Sequence, residues 1–159
     1  RVSGLRLLLI PRMVNEQPFL VNHLSVSIQP YGKKRLILDL RHVNRSLNKK
    51  SIKYKDWKIA MSYFAKDSYM WSFDLKSGYH HIDSAQEQQT FLGFLFYVFA
   101  VLPFGLSSAP YVFTKVLKPL QLFWRIQGLC IAIFLDDGWA IVQDRKSCRI
   151  KALAKGEFV

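Results

Sequence analysis

A pair of adjacent aspartates between two apolar runs is the feature that most constrains this chain. Asp136 and Asp137 follow the apolar residues 129–135 and precede Gly138 and the apolar residues 139–142. Two apolar runs of strand length joined by a short turn predict a buried β-hairpin. Adjacent carboxylates repel each other at neutral pH, and burial raises that cost, so a divalent metal ion is expected beside them. An Asp-Gly step is also an ordinary hairpin turn, which requires no chemistry.

A third carboxylate, Asp74, lies in a similar setting. It stands near the end of the short apolar segment of residues 71–75 and precedes Ser77 and Gly78. A single aspartate at a strand end is commonly a turn residue. Two strand ends can nevertheless bring three carboxylates together, and such oxygen ligands bind Mg²⁺ while leaving positions for substrate phosphates. In phosphoryl and nucleotidyl transfer, two metal ions stabilise the attacking and the leaving oxygen.

Composition and charge indicate a folded domain that binds a polyanion. The chain has 159 residues, of which 50% are hydrophobic, enough for one domain with a core and too many for a disordered chain. Its formal net charge of +12 favours nucleic acid as a partner. Basic residues crowd into one segment and are Lys33, Lys34, Arg35, Arg41, Arg45, Lys49, Lys50, Lys53, Lys55 and Lys58. Most lysines in such a run are expected to be solvated, and phosphate contacts there would be salt-sensitive.

The sequence predicts an intracellular protein, in the cytoplasm or the nucleus, without a membrane span. The longest apolar run, residues 91–102, ends at Pro103 and is too short to cross a bilayer. The first residues lack a charged-then-apolar leader with a cleavage site. Cys130 and Cys148 lack metal-ligand spacing, and Cys130 lies within an apolar run. We interpret both as reduced structural cysteines.

Periodicity and turn residues predict interleaved strands and helices. Strands are predicted at residues 36–40, 71–75, 129–135 and 139–142, and residues 90–102 are aromatic and strand-like. Helices are predicted at residues 57–65, from Ser107 or Ser108 to Gly128, and from about residue 144 to residue 156. Pro119 is expected to kink or divide the second helix.

Four segments, in this order along the chain, resemble the motifs of reverse transcriptases. Residues 34–44 resemble the finger segment that carries a nucleotide-contacting arginine. Residues 73–80 are similar to the first catalytic motif, and residues 102–110 to the motif that grips primer and template. Residues 134–137, Phe-Leu-Asp-Asp, resemble the paired-aspartate motif. The particular residues are most similar to those of tyrosine-recombinase (DIRS-like) retrotransposons.

The resemblance implies an α+β fold made of the fingers and palm of a right-hand polymerase. An antiparallel palm sheet would have helices packed on one of its faces. Within one domain, the fingers would comprise about residues 1–60 and 83–101, and the palm about residues 61–82 and 102–159. The thumb and ribonuclease H segments of relatives are expected to be absent from this chain.

The resemblance also implies a site and a reaction. Asp74 and Asp136 would bind two Mg²⁺ ions, for which Mn²⁺ is an alternative. The Leu75 carbonyl would be an accessory ligand, and Asp137 would complete the site. The implied activity is that of an RNA-directed DNA polymerase, which adds deoxynucleoside triphosphates to a primer 3′ hydroxyl on an RNA or DNA template.

Further residues are implied to bind the substrates. Arg35 would contact the phosphates of the incoming nucleotide, because its planar fork of donors suits phosphate. Tyr79 would be the steric gate that excludes a 2′ hydroxyl. Phe104 would pack against the nucleotide, and Gly105 would allow a close backbone approach. The residues implied to contact nucleic acid are Lys33, Lys34, Arg41 and Pro110. His80 and His81 are interpreted as structural.

Two departures from the family keep other functions open. Residues 27–30 are Ser-Ile-Gln-Pro where the family commonly has a fingertip lysine, and residues 94–97 are Phe-Leu-Phe-Tyr where a polar hairpin turn is expected. One alternative is a truncated, catalytically silent remnant of a retroelement that still binds nucleic acid. The other is a basic α+β interaction module without a polymerase role. The sequence leaves the template preference and the oligomeric state open.

Overall fold

The computed structural model of this chain describes residues 11–32, 34–48, 50–52 and 61–145. Its elements, in chain order, are β1 (Pro11–Met13), β2 (Leu24–Ile28), β3 (Lys34–Leu38), α1 (Arg41–Ser46), β4 (Tyr69–Asp74), α2 (Gln86–Gln89), β5 (Gly93–Phe94), β6 (Tyr97–Phe99), α3 (Ala109–Ile126), β7 (Cys130–Phe134) and β8 (Asp137–Val142). Short 3₁₀ helices lie at Pro30–Gly32 and Gly78–His81. The fold is therefore α+β, as expected.

The chain divides into two compact units. The first comprises Arg1–Lys50 and Tyr79–Ala109, and the second comprises Ser51–Gly78 and Pro110–Val159. The boundaries between fingers and palm that the resemblance implies are not the same as these unit boundaries and lie near residues 60, 82 and 101. The assignment of fingers and palm therefore stays a prediction.

The first unit contains two small antiparallel sheets around an aromatic and aliphatic core. Strand β2 pairs with β3, and β6 lies between β1 and β5. The buried core consists of Leu38, Leu40, Leu92, Phe94 and Phe99. Burial of these side chains, each worth about 1.5–3 kcal/mol, fixes β3 and the start of α1 against the β5–β6 hairpin.

A two-residue turn joins β5 to β6. Phe94 pairs with Tyr97, so Leu95 and Phe96 form the tip, and Leu95 has a φ of +49°. The rings of Phe94 and Tyr97 stack with centroids 5.6 Å apart. An apolar turn thus takes the place of the polar turn expected here, and aromatic stacking across the strand ends stabilises it.

The described residues of the second unit form an antiparallel sheet against which the long helix α3 packs. The strand order is β4-β8-β7. Phe73 on β4 contacts Trp124 on α3, with ring centroids 6.2 Å apart. Alternation along the strands therefore directs Phe73 and its cross-strand partner Gly138 towards the helix, and directs Asp74 to the opposite face.

Helix α3 runs through Pro119 without interruption. Pro119 was predicted to kink or divide this helix; the second alternative was wrong, and the kink stays a prediction. Within the described part of the chain, Val116, Phe123 and Ile126 on this helix are exposed, whereas Phe113 is buried. A three-stranded sheet is narrow, so it covers only one side of an apolar helix surface.

Several other predictions are corrected or lie outside the described residues. Cys130 was expected inside a buried strand but is exposed, because it is the first residue of β7, an edge strand of its sheet. Cys148, residues 57–60 of the helix predicted at residues 57–65 and most of the final helix lie outside the described residues. In the described remainder of the first of these helices, Met61 is helical and residues 62–65 form a turn and an irregular segment, so its predicted C-terminal end was wrong. Among the described residues, no helix is long and apolar enough to cross a membrane.

Candidate active site

Strand register places Asp74 directly opposite Asp137. These residues are paired in the antiparallel ladder of β4 and β8. The next pair along is hydrogen bonded, since the Leu75 N–H donates to the Asp136 carbonyl at 2.8 Å. Asp74 and Asp137 are therefore a non-hydrogen-bonded pair, the kind in which side chains on the same face lie closest, with Cβ atoms about 4.5–5.5 Å apart.

The turn between β7 and β8 consists of Leu135 and Asp136. Phe134 pairs with Asp137, so Asp137 and Gly138 begin strand β8 and do not form the turn that the Asp-Gly step predicts. Leu135 has a φ of +55°, a left-handed conformation that costs a bulky residue on the order of 1–3 kcal/mol. The reason for the difference is the pairing of β8 with β4 on its other side, which draws Asp137 into the ladder.

Two glycines make room for this arrangement. A Cβ atom at Gly138 would collide with Cζ of Phe73, so the Phe73 ring covers the space that a side chain would need. A Cβ atom at Gly78 would lie 2.6 Å from Cζ of Phe113 and 3.3 Å from Cβ of Asp136. Gly78 therefore lets the segment after β4 pack closely against the turn that carries Asp136.

The three aspartates differ in exposure. Asp74 and Asp137 are exposed, and Asp136 is half-buried. Like charges directly opposite each other destabilise a sheet, so the pair favours binding of a cation. In the described part of the chain, no three His, Cys, Asp or Glu side chains are placed to hold a metal ion by themselves. The donor set nevertheless suits Mg²⁺, which is commonly bound by one or two carboxylates together with substrate phosphates.

The segments around Tyr79 and Phe104 meet in the first unit. The ring of Phe104 lies 5.0 Å from that of Tyr79 and 5.0 Å from that of His80, between centroids. Burial lowers the pKa of His80, and the neighbouring His81 lowers it further. The half-buried imidazole of His80 thus packs on the Phe104 ring, and its structural role stays a prediction. Gly105 has a φ of +91°, which explains the glycine after Phe104.

Sequence reasoning missed the contribution of Asn44. Its Nδ2 donates to the Gly105 carbonyl at 2.9 Å, and its Oδ1 accepts from the Ser107 N–H at 2.8 Å. The amide of Asn44 thus fixes the loop that follows Phe104. The only available signal was its place in the segment of residues 34–44, which was interpreted for its arginine.

Of the basic residues predicted to contact nucleic acid, Arg41 is engaged within the chain. Its guanidinium forms a bidentate ion pair with Asp39, with Nη2 at 2.6 Å from Oδ2. The hydrogen bonds from Arg41 lower the pKa of Asp39 to about 2, and the pKa of Arg41 is raised. Arg41 remains 85% exposed, so this pairing leaves the guanidinium accessible to solvent.

The other predicted site residues fall into both units. Lys34 and Arg35 lie on β3, where Arg35 pairs with Ser27, and Lys34 is exposed. Pro110 lies in the first turn of α3, and its carbonyl accepts from the Thr114 hydroxyl at 2.8 Å. Lys33 lies outside the described residues. The structure brings Asp74, Asp136 and Asp137 together in the second unit, and Tyr79, Phe104 and Gly105 in the first.

Comparison with known sequences relates the chain to retroelement polyproteins. No protein-family model matches it. A polyprotein of cassava vein mosaic virus is 31% identical over 127 residues, which are 75% of this chain and 18% of that protein. The retrovirus-related Pol polyprotein from transposon gypsy of Drosophila melanogaster is 30% identical over 108 residues, which are 65% of this chain and 10% of that protein. The chain therefore spans a small part of each polyprotein.

Comparison with solved structures identifies the fold. The native prototype foamy virus protease-reverse transcriptase superposes with a TM-score of 0.70 at 20% identity, over 90% of this chain and 19% of that one. The chain has the fold of a retroviral reverse transcriptase region. A foamy viral protease-reverse transcriptase in complex with double-stranded DNA superposes with a TM-score of 0.72 at 21% identity, over 92% of this chain and 30% of that one. The reverse transcriptase resemblance is thereby confirmed at the level of fold, and the DIRS-like placement stays a prediction.

Proposed function

We propose that this chain is the polymerase part of a retroelement reverse transcriptase, an RNA-directed DNA polymerase domain that extends a primer by two-metal catalysis. The observation that carries the proposal is the direct opposition of Asp74 and Asp137, with Asp136 in the adjoining turn. Sequence similarity to a viral and a retrotransposon polyprotein supports it, as does the fold of the foamy viral enzyme.

The aspartates would act as the cation-binding part of the site. Asp74, Asp136 and Asp137 would hold Mg²⁺ or Mn²⁺, with the Leu75 carbonyl as an accessory ligand. When bound, the ions supply charge stabilisation to the attacking and leaving oxygens of a nucleotidyl transfer. The chain contributes the placement of the carboxylates, since the ladder holds Asp74 against Asp137 and the Leu75 N–H holds the Asp136 backbone.

The first unit would bind the incoming deoxynucleotide and the primed template. Arg35 would donate to the triphosphate, and Tyr79, packed against Phe104, would exclude a 2′ hydroxyl. Gly105 would let backbone approach the nucleotide. Lys33, Lys34 and Arg41 would contact phosphates of nucleic acid. Pro110, which belongs to the second unit, would lie beside the primer or template. The foamy viral enzyme in complex with double-stranded DNA supports a nucleic-acid partner.

A binding protein without catalysis is the second candidate. It is favoured by the observation that, within the described residues, no three potential ligands are placed to hold a metal ion without substrate. The net charge of +12 would support nucleic-acid binding in either case. A DIRS-like retrotransposon origin and a cytoplasmic or nuclear location are the finer parts of the proposal.

Primer extension tests the proposal. The purified chain is given Mg²⁺, deoxynucleotides and a primed RNA template, beside an Asp136→Asn, Asp137→Asn double variant. An Asp83→Asn variant is the matched control, because Asp83 is an exposed aspartate of the first unit. We expect extension by the chain and by the control, and none by the double variant.

Each other outcome points to a different function. Extension by the double variant at the rate of the unaltered chain would overturn the assigned site. Binding of Mg²⁺ and primed template without extension would favour the catalytically silent remnant. Loss of both binding activities would favour the interaction module.

A further inference from the structure

Asn44 connects helix α1 to the loop that follows Phe104. Both polar atoms of its side-chain amide form hydrogen bonds, since Nδ2 donates to the Gly105 carbonyl and Oδ1 accepts from the Ser107 N–H. Its backbone N–H donates to the Leu40 carbonyl at 2.8 Å within the first turn of α1. Leu40 is 2% exposed in the core of the first unit, so the helix that carries Asn44 rests on a rigid base.

Buried neighbours hold the two ends of the loop, since Pro103 is fully buried and Leu106 packs against the core of the first unit, but they leave Phe104 and Gly105 between them less restrained. Gly105 has a φ of +91°, a region open to glycine in which the peptide can readily rotate. Phe104 is 47% exposed, so burial alone holds its ring weakly. The Asn44 bonds fix the peptide on the carboxyl side of Gly105, and this limits the positions that the Phe104 ring adopts against Tyr79.

The chemistry of the contact requires an amide. A carboxylate at residue 44 would still accept from Ser107 but would face the Gly105 carbonyl without a proton to donate, and an alanine would satisfy neither group. A hydrogen bond contributes modestly to stability when it is made, whereas a polar group left without its partner lowers stability by more.

We infer that Asn44 is a positioning residue for nucleotide binding, which holds the Phe104–Gly105 loop in the conformation that receives the base and sugar of a deoxynucleotide. This inference rests on the proposed function. Asn44 acts through the loop and does not touch the reacting atoms, so it controls the affinity for the nucleotide and leaves the rate of the chemical step unchanged.

Three variants of the full chain test the inference. They are Asn44→Ala, Asn44→Asp and the control Asn48→Ala, which alters an exposed asparagine two residues after α1. Single-nucleotide addition on a primed RNA template gives kcat and KM for dTTP, and hydrogen exchange monitors the Ser107 amide. For Asn44→Ala we expect a KM about tenfold higher, an unchanged kcat and about tenfold faster exchange at Ser107.

The conservative variant separates positioning from general damage to the fold. Asn44→Asp is expected to keep the Ser107 amide protected, because the acceptor remains, while KM still rises since the Gly105 carbonyl loses its donor. Asn48→Ala is expected to match the unaltered chain in all three measurements. Faster Ser107 exchange with an unchanged KM, or a fall in kcat at constant KM, would overturn the inference.

A separate readout keeps failure of the proposed function distinct. If the unaltered chain adds no nucleotide, the polymerase proposal fails, and equilibrium binding of dTTP in the presence of primed template tests Asn44 by itself. Binding that is about tenfold weaker in Asn44→Ala would support the positioning role. Equal binding by both chains, or no binding by the unaltered chain, would overturn it.

Discussion

At the scale of single residues, the candidate site brings like charges close together. Asp74 and Asp137 are directly opposed on neighbouring strands, and Leu135 beside them has a left-handed backbone. Both features lower the stability of the chain, and neither is needed to form a hairpin. Sequences commonly depart from locally stable choices at functional sites. Two destabilising features at one place therefore support a functional role for this site.

Removing one of the opposed charges should stabilise the chain while it abolishes activity. Asp74→Asn is expected to raise the free energy of unfolding in Mg²⁺-free buffer by about 0.2–1 kcal/mol, because a like-charge cross-strand pair is lost. Primer extension is expected to disappear in the same variant. Urea unfolding with and without Mg²⁺ measures the first effect, and Asp83→Asn is the control. A large loss of stability in Asp74→Asn would argue that the pair is structural.

The Asp39–Arg41 pair predicts a local response to acid. The pKa of Asp39 in the folded chain, about 2, is below its ordinary value of 3.8, so the pair stabilises the fold above that ordinary value. Its contribution is lost as pH falls through this interval towards 2. NMR titration of the Asp39 carboxyl checks the direction. Arg41→Ala should return the Asp39 pKa towards its ordinary value, and an unchanged low pKa would show that another group lowers it.

At the scale of elements, helix α3 persists through a residue that should interrupt it. Pro119 lies in the helix interior, where a proline has no N–H to donate and its ring disfavours the preceding turn, yet the helix continues to Ile126. Contacts from both halves hold it, since Phe113 is buried against Gly78 and Trp124 packs on Phe73. Tertiary packing therefore outweighs local propensity along this element.

Replacing this proline should stabilise the helix. Pro119→Ala restores a donor and removes the ring, and we expect the free energy of unfolding to rise by about 2 kcal/mol after the added disorder of the unfolded chain is subtracted. Urea unfolding measures the change. Lys118→Ala, at the exposed neighbouring residue, should change stability by less than about 0.5 kcal/mol. A less stable Pro119→Ala chain would mean that the packing of the helix requires proline at this position.

At the scale of the whole molecule, charge should dominate the affinity for nucleic acid. The formal net charge is +12, with 23 basic and 11 acidic residues. Each phosphate neutralised releases condensed counterions, so affinity for duplex DNA should fall steeply with salt concentration. The ion pair of Asp39 with Arg41 offsets part of the positive charge in the segment that was predicted to bind nucleic acid.

Lys34 is the described lysine best suited to test this expectation. Lys34→Ala should weaken binding to duplexes of any sequence and lower the slope of log affinity against log salt by about 1. Fluorescence anisotropy at several salt concentrations measures the slope. Lys66→Ala removes an exposed lysine of the second unit and serves as the charge-matched control. An equal change in both variants would indicate a non-specific charge effect and no defined contact at Lys34.

Local sequence patterns predicted much of the fold and part of the site. The runs around the aspartate pair predicted β7 and β8 because apolar, β-branched strands bounded by turn residues have a clear signature. The strand ending at Asp74 and the long helix ending before Gly128 were predicted for similar reasons. The strand-like run of residues 90–102 was less well predicted, because short paired strands and the turn at Leu95 share one apolar composition.

The sequence by itself determined which residues can do chemistry, namely three aspartates at strand ends, an arginine in a basic segment and an aromatic pair near glycines. Only the tertiary structure decided which of them face each other. The register of β4 on β8 set Asp74 against Asp137 and moved the turn to Leu135 and Asp136. The bonds of Asn44 to the loop after Phe104 likewise join residues distant in sequence. Such long-range pairings depend on how whole elements bury their apolar faces, and no local pattern encodes that choice.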